Sequence, residues 1–179
     1  MKKVLHTLAI LLTLLTLILF ILYKQYHTSL LLTLTITFGT TAYHFDLRLA
    51  VGLVVSSIMK NKADYHKKWY QPLSFETGLY EILKVKKWKE KMPTYDSSTF
   101  SLKYHTLDEI AQSMCQSEIV HQFNALLSFV PLFLIPLFGQ PIVFTITSII
   151  AACLDMIFII MQRYNRPRII RLIERKESK

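Results

Sequence analysis

Residues 4–23 read VLHTLAILLTLLTLILFILY. This stretch carries no charge, and only threonines and one histidine interrupt its apolar side chains. At ~1.5 Å per residue, an α-helix of this length covers the ~30 Å hydrocarbon core of a bilayer. Lys2 and Lys3 precede it as at the start of a signal peptide, but the apolar run is longer than an ordinary signal-peptide core, and residues 23–26 offer no small-residue cleavage site. The stretch therefore predicts a retained membrane-spanning helix.

The next apolar stretch, residues 29–59, is too long for one upright helix that crosses a bilayer. Its polar interruptions are His44, Asp46 and Arg48. We therefore expect a span over residues 29–47, followed by a tilted or interfacial segment that ends near residue 59.

Two later apolar stretches cover residues 119–138 and 141–161, with only Gly139 and Gln140 between them. A link that short predicts an antiparallel pair of helices.

The chain is 52% hydrophobic and yet has a formal charge of +9, so its apolar and charged residues occupy separate segments. The sequence predicts an all-α, polytopic membrane protein in which residues 1–179 form a single membrane domain with four spans.

The positive charges are distributed unevenly along the chain. Of the 21 Lys and Arg residues, nineteen lie before the first span, in the loop at residues 60–116 or in the amphipathic tail at residues 162–179. Because cationic loops stay in the cytoplasm, we expect both termini and the loop to be cytoplasmic. Topology thus explains the charge without nucleic acid as a partner. The sequence also lacks the Cys and His spacing of a zinc site, so no metal is expected.

Glu118 and His121 lie three residues apart at the start of the third span and so share one helix face. A carboxylate beside an imidazole holds its tautomer and favours its protonated form, as a general base that acts on a hydroxyl requires. We take this pair as the candidate catalytic residues. The alternative is a buried hydrogen-bonded pair that joins two membrane helices.

Ionisable groups within membrane spans are costly and mark candidate functional sites. His44 and Arg48 are four residues apart on one helix face, whereas Asp46 points elsewhere. They are candidate substrate-binding residues, or else part of a salt-bridged bend at the inner interface. Asp155 stands alone in the fourth span, and we expect it to pair with Arg48 or another basic group.

The motif QRYNRPR, residues 162–168, leaves the last span where lipid headgroups begin. Arg163 and Arg168, with Asn165 between them, suit recognition of a phosphate or carboxylate. The alternative is a positively charged stop signal followed by an interfacial helix, with the apolar side chains of residues 169–173 against the membrane.

This motif and the basic amphipathic end that follows resemble the C-terminus of the glycosyl-4,4'-diaponeurosporenoate acyltransferase family, membrane enzymes of the staphyloxanthin pathway in Gram-positive bacteria. ETGLY at residues 76–80, leading into VKKWKEKMP at residues 85–93, resembles the family's Glu and Gly followed by a basic segment with Trp and Lys. EIVH at residues 118–121 resembles its Glu-x-x-His at the start of a span. The resemblance covers roughly the last hundred residues.

The resemblance implies a bacterial cell-membrane enzyme that transfers a fatty acyl group to a sugar hydroxyl of a glycosylated isoprenoid, carotenoid or other glycolipid. It implies Glu76, Trp88 and Lys89 as further substrate-binding residues, an acyl thioester as co-substrate, and no separate cofactor. In this chemistry His121 would deprotonate the acceptor hydroxyl, Glu118 would orient the imidazole, and a cationic cluster would bind the phosphates of the donor.

Two other functions are compatible with the sequence. A small membrane reductase or methyltransferase on an isoprenoid-like substrate is suggested by His44 and Arg48 and by the Arg-Pro-Arg that ends the last span, although such enzymes need nucleotide-cofactor contacts. A non-catalytic membrane subunit could dock a partner through the loop at residues 60–115. The tyrosines and tryptophans among the lysines of this loop can equally lie on a bilayer surface.

Overall fold

The computed structural model describes residues 2–178, apart from the side chain of Ser97, and this part of the chain is helical with no strand. Seven α-helices follow in chain order: α1 (Lys2–Tyr26), α2 (Ser29–Met59), α3 (Glu76–Ile82), α4 (Val85–Trp88), α5 (Leu107–Leu127), α6 (Ile135–Phe138) and α7 (Pro141–Glu177). Short 3₁₀ turns, among them Lys68–Tyr70, complete the loop between α2 and α5. The all-α prediction is confirmed.

Four helical segments of the described chain are long and apolar enough to cross a membrane: Lys2–Tyr26, Ser29–Met59, Leu107–Phe138 and Pro141–Glu177. The expectation of a helical membrane protein with four spans is thereby confirmed. The last segment has 37 residues, about 55 Å at ~1.5 Å per residue, which exceeds the ~30 Å hydrocarbon core. A large part of α7 therefore extends beyond the membrane.

Helix α2 continues unbroken to Met59, past the point near residue 47 where the sequence suggested that the span ends. Two of the polar residues in its middle, Asp46 and Arg48, do not break it because their charged groups find partners. The Thr13 hydroxyl donates to Asp46 Oδ2 over 3.0 Å, and Arg48 pairs with Asp155. The helix's threonine hydroxyls bond to carbonyls one turn earlier, as Thr37 does to Thr33 over 2.8 Å.

The chain divides into two compact units. The first, here called the apolar unit, contains residues 2–53 and 122–156. In it α1 and α2 approach closely at Gly39, where an added Cβ would lie 3.3 Å from the Thr16 methyl group. The link from α6 to α7 turns through Gly139, whose φ of +67° favours glycine. This is the two-residue link that the sequence suggested.

The second unit, here called the loop unit, contains residues 54–121 and 157–178. Its core consists of Tyr65, Tyr70, Ala111 and Cys115, against which three isoleucines of α7 pack: Ile169, Ile170 and Ile173. The apolar side of the tail therefore contacts protein. The Tyr65 hydroxyl donates to Asp108 over 2.7 Å. Burial and this hydrogen bond raise the pKa of Tyr65 to about 12.

Candidate functional site

Arg163 joins two buried carboxylates in the loop unit. Its Nε donates to Glu76 Oε1 over 2.6 Å, and its Nη1 donates to Glu118 Oε1 over 2.8 Å. Nη1 and Nη2 also donate to the carbonyls of Trp69 and Gln71, over 3.1 and 2.8 Å. The guanidinium thus ties α3, α5 and α7 to the turn before α3. These four hydrogen bonds use four of the five N–H donors of the guanidinium.

Arg166 binds the other oxygen of Glu118. Its Nη1 donates to Glu118 Oε2, its Nη2 donates to the Tyr70 carbonyl, and its guanidinium lies 5.1 Å from the centre of the Tyr70 ring. The Arg166 side chain is 1% exposed and that of Glu118 is 0% exposed. Because Arg163 and Arg166 are three residues apart on α7, they present both guanidiniums to one carboxylate.

The network is closed by Tyr80, whose hydroxyl donates to Glu76 Oε2 over 2.8 Å. Burial and this hydrogen bond raise the pKa of Tyr80, so the phenol remains a donor at neutral pH. The two carboxylates, Glu76 and Glu118, balance the two guanidiniums in formal charge. A buried charge is tolerated when it is paired and hydrogen-bonded. Both guanidiniums are paired with carboxylates, and Arg166 Nε is buried without a hydrogen-bond partner in the described chain. We call these five residues the buried network.

Beside the buried network, two cations flank the ring of Tyr164. The Arg168 guanidinium lies 3.6 Å and the Lys89 ammonium 5.2 Å from the ring centre. Lys89 Nζ also donates to Asn165 Oδ1 over 2.9 Å, and the Tyr80 ring packs edge-on against Tyr164 at 5.2 Å. Arg168 is exposed. The pair formed by Lys89 and Arg168, here called the cation pair, places two positive charges at the rim of the loop unit.

His121 lies one turn after Glu118 on α5 and is half-buried. Its ring stacks on that of Phe158, with centres 4.7 Å apart and planes inclined by 12°. Such stacking restricts the orientation of the imidazole plane. Trp88, another residue that the sequence singled out, donates its indole N–H to the Leu83 carbonyl over 2.9 Å.

The apolar unit holds the remaining sequence-predicted residues. Arg48 Nη2 pairs with Asp155 Oδ2 over 2.6 Å and donates to the Ala151 carbonyl over 2.9 Å, while Nη1 donates to the His44 carbonyl over 2.7 Å. The predicted pairing of Asp155 with Arg48 is confirmed. His44 is 4% exposed and packs edge-on against the Tyr43 ring at 5.3 Å.

The structure thus sorts the predicted site residues into three groups. Glu76, Glu118 and Arg163 share the buried network. Lys89, Asn165 and Arg168 surround Tyr164. His44 and Arg48 lie in the apolar unit. Glu118 contacts Arg163 directly, whereas the catalytic role of His121 and the substrate-binding roles remain predictions.

The candidate-site prediction missed Arg166, Tyr80 and Tyr164. The three-residue spacing of Arg163 and Arg166 was available as a signal for the first, since it places both on the face that meets Glu118. Across residues 2–178, no group of three His, Cys, Asp or Glu side chains is arranged as metal ligands.

The fold and this site define a helical membrane protein in which ion pairs buried in the loop unit fasten a long last helix. The chain belongs to the glycosyl-4,4'-diaponeurosporenoate acyltransferase family, whose sequence profile matches residues 66–175. The matched segment includes the buried network, the cation pair and His121. No match is found among curated proteins or among solved structures. The family resemblance noted from the sequence is confirmed.

Proposed function

We propose that this chain is a membrane acyltransferase. It moves a fatty acyl group from an acyl thioester onto a sugar hydroxyl of a glycosylated isoprenoid or carotenoid, or of another glycolipid. The family match supports this proposal most strongly, because its matched residues 66–175 contain both charged groups of the loop unit and His121. A four-span helical fold supplies the membrane location that such substrates need.

The cation pair is the proposed site for the phosphates of the donor. Arg163 donates to Glu76 and Glu118, so its role is to hold the loop against α7. Arg168 is exposed, and each cation has more donors than its protein contacts use. Guanidinium and ammonium groups bind phosphate through charge-assisted hydrogen bonds. We therefore assign a structural role to Arg163 and anion binding to Lys89 and Arg168.

His121 is the proposed general base. Its imidazole accepts the proton of the acceptor hydroxyl as the oxygen attacks the thioester carbonyl. The new C–O ester bond forms, the C–S bond breaks, and the imidazolium returns the proton to the departing thiolate. The stacking of His121 on Phe158 supports this role, because it restricts the ring plane before the substrate arrives. Glu118 is a positioning residue that acts through Arg163 and Arg166, the two arginines that it binds.

The proposed setting is a bacterial cell membrane, with both termini and the loop unit in the cytoplasm. Nineteen of the 21 Lys and Arg residues then lie on the cytoplasmic side. The cation pair also faces the compartment in which acyl thioesters are made. Acceptor lipid would enter from the bilayer and donor from the water phase.

The test is a comparison of lipids from cells that make a glycosylated carotenoid, with and without this chain. Mass spectrometry should show a species heavier by one fatty acyl group only when the chain is present. Purified protein with radiolabelled acyl-coenzyme A and the extracted glycosyl carotenoid should give the same product. A protein that accumulates in the membrane but yields no acylated lipid from this or from a total glycolipid extract would overturn the proposal. That result would favour the alternative function, a non-catalytic membrane subunit that docks a partner.

A further inference from the structure

The apolar unit contains four buried polar atoms without a hydrogen-bond partner in the described chain: His44 Nδ1, His44 Nε2, Asn124 Oδ1 and Ser148 Oγ. His44 is 4% exposed, Asn124 1% and Ser148 0%. The three residues lie on three different helices, α2, α5 and α7. Lipid chains offer no hydrogen bonds, so such groups in a membrane segment need a partner from elsewhere.

Ser148 differs from Thr147 and Ser128, two other hydroxyl residues of this unit. The Thr147 hydroxyl next to it donates to the Val143 carbonyl over 2.8 Å, and the Ser128 hydroxyl donates to the Asn124 carbonyl over 2.7 Å. Membrane helices commonly satisfy Ser and Thr in this way, within their own backbone. The Ser148 hydroxyl makes no such bond although it is fully buried. It is therefore available to a partner outside its own helix.

Hydrogen bonds from two side chains of α2, Tyr43 and Arg48, set the register of the three helices. The Tyr43 hydroxyl donates to the Leu127 carbonyl over 2.9 Å, and Arg48 reaches the Ala151 carbonyl and Asp155. His44 is adjacent to Tyr43 and one turn before Arg48. Asn124 and Ser148 are each three residues before the carbonyl that is bound on their helix. With four crossings, α2 and α7 run in the same direction, which brings all three residues to a similar depth.

His44, Asn124 and Ser148, with the neighbouring pair Arg48 and Asp155, are here called the polar layer. The net charge of this layer limits which ligands it can bind. The Arg48 guanidinium and the Asp155 carboxylate are paired at 2.6 Å and cancel in formal charge. The orphaned groups are an imidazole, an amide and a hydroxyl, which together offer both donors and acceptors. A phosphate would find no net positive charge here, and an alkyl chain would leave the polar atoms unpaired. A ligand for this site must therefore carry no charge and must offer hydrogen bonds to the polar atoms. An uncharged group with several hydroxyls meets both requirements.

We infer that His44, Asn124 and Ser148 form a second, uncharged binding site that takes the hydroxyl groups of a neutral glycolipid. This inference rests on the proposed function in one respect: the role of the bound glycolipid as acyl acceptor. The site recognises sugar hydroxyls, whereas the cation pair recognises phosphate. The two substrates of the proposed reaction thus have separate sites of different chemistry.

The test measures binding rather than catalysis. Full-length protein in nanodiscs is labelled with a diazirine-bearing alkyl glucoside and, in parallel, with the same diazirine alkane without the sugar. Peptides that carry the label are located by mass spectrometry. The glucoside should label α2, α5 or α7 of the apolar unit, and an excess of unlabelled alkyl glucoside should suppress this. The plain alkane should show no such suppressible labelling.

Three variants sharpen the test. His44→Phe and Ser148→Ala remove orphaned groups and keep most of the side-chain volume, and each should reduce suppressible labelling by the glucoside by about tenfold or more. Thr37→Val is the matched control, because the Thr37 hydroxyl bonds to its own helix. It should label as the wild type does. Gel filtration confirms that each variant is folded.

Labelling that is unchanged in both His44→Phe and Ser148→Ala would overturn the inference, as would glucoside labelling confined to other segments. Variants with a raised melting temperature and unchanged labelling would also overturn it, because the unpaired groups would then cost stability without binding the glucoside. Suppressible glucoside labelling without any acyl transfer would instead sink the proposed function and leave this site standing.

Discussion

Arg166 and Glu118 form an ion pair from which water is excluded, since the two side chains are 1% and 0% exposed. Arg163 binds the other oxygen of the same carboxylate. The net contribution of such a buried pair to the stability of the fold is small, because the cost of desolvation offsets much of the attraction between the charges. Removal of one partner is a different matter, because it leaves the other charge buried and unpaired. Glu118 is therefore a sensitive point of the loop unit.

Glu118→Gln should destabilise the protein by about 3–5 kcal/mol, since it keeps the side-chain shape but leaves two guanidiniums with one carboxylate. The measurement is the temperature at which purified protein loses its monodisperse gel-filtration peak. Glu81→Gln, an exposed change on α3, is the control and should stay within about 0.5 kcal/mol. Equal melting of the two variants would show that the network carries little of the stability.

Arg48 and Asp155 should behave as a coupled pair in the apolar unit. Arg48→Met and Asp155→Leu each strand a charge among membrane helices, so each should lower the amount of folded protein. The double variant strands neither, and its destabilisation should be about 0.5–3 kcal/mol smaller than the sum of the two single changes. Thermal melting of all four proteins measures this coupling. Strict additivity would mean that the 2.6 Å contact does not form in the membrane.

The sequence was sufficient for the helical class and the four spans because apolar length is a local property. The pairing of Arg48 with Asp155 was also predictable, because an intramembrane carboxylate has few available partners. Arg166 was not singled out, although it is almost fully buried. Its acceptors are Glu118 and the Tyr70 carbonyl, and the second is placed by the fold of a loop that has no periodic pattern.

The role expected for Arg163 illustrates the same limit. A guanidinium near the end of a span suits a phosphate as well as a carboxylate, and the sequence does not say which is nearer. In the structure two carboxylates, Glu76 and Glu118, bind it. Arg168, five residues later on the same helix, packs on Tyr164 and remains exposed. The distinction between these two arginines came from tertiary packing.

The orientation in the membrane is testable with single cysteines. In a Cys115→Ala, Cys153→Ala background, Tyr95→Cys and Arg175→Cys should react with an impermeant maleimide only after the cells are opened, because both positions lie in the proposed cytoplasmic segments. Thr28→Cys, in the link between α1 and α2, should react on intact cells and serves as the matched control. Labelling of position 95 or 175 on intact cells would reverse the topology.

Arg168→Ala should raise the KM for an acyl-coenzyme A donor by roughly 10- to 100-fold with little change in kcat, because a charged hydrogen bond to phosphate contributes about 1.5–3 kcal/mol. Arg175→Ala, an exposed change about two turns later on α7, is the control and should leave KM unchanged. Arg163→Ala should instead lower the amount of folded protein. If Arg168→Ala and Arg175→Ala have the same KM, the donor binds elsewhere.

His121 is the residue whose replacement separates catalysis from structure. His121→Phe keeps an aromatic ring to stack on Phe158, 4.7 Å away in the wild type, but removes the group that accepts a proton. If His121 is the general base, kcat should fall by roughly 10²–10⁴-fold while the protein accumulates normally in the membrane. Loss of a merely structural contact between helices should instead cost about 0.6–2 kcal/mol of stability and reduce the amount more than the turnover per molecule. The exposed His66→Phe is the control and should match the wild type. Acyl transfer per molecule at the wild-type rate in His121→Phe would end the assignment of His121 as the base.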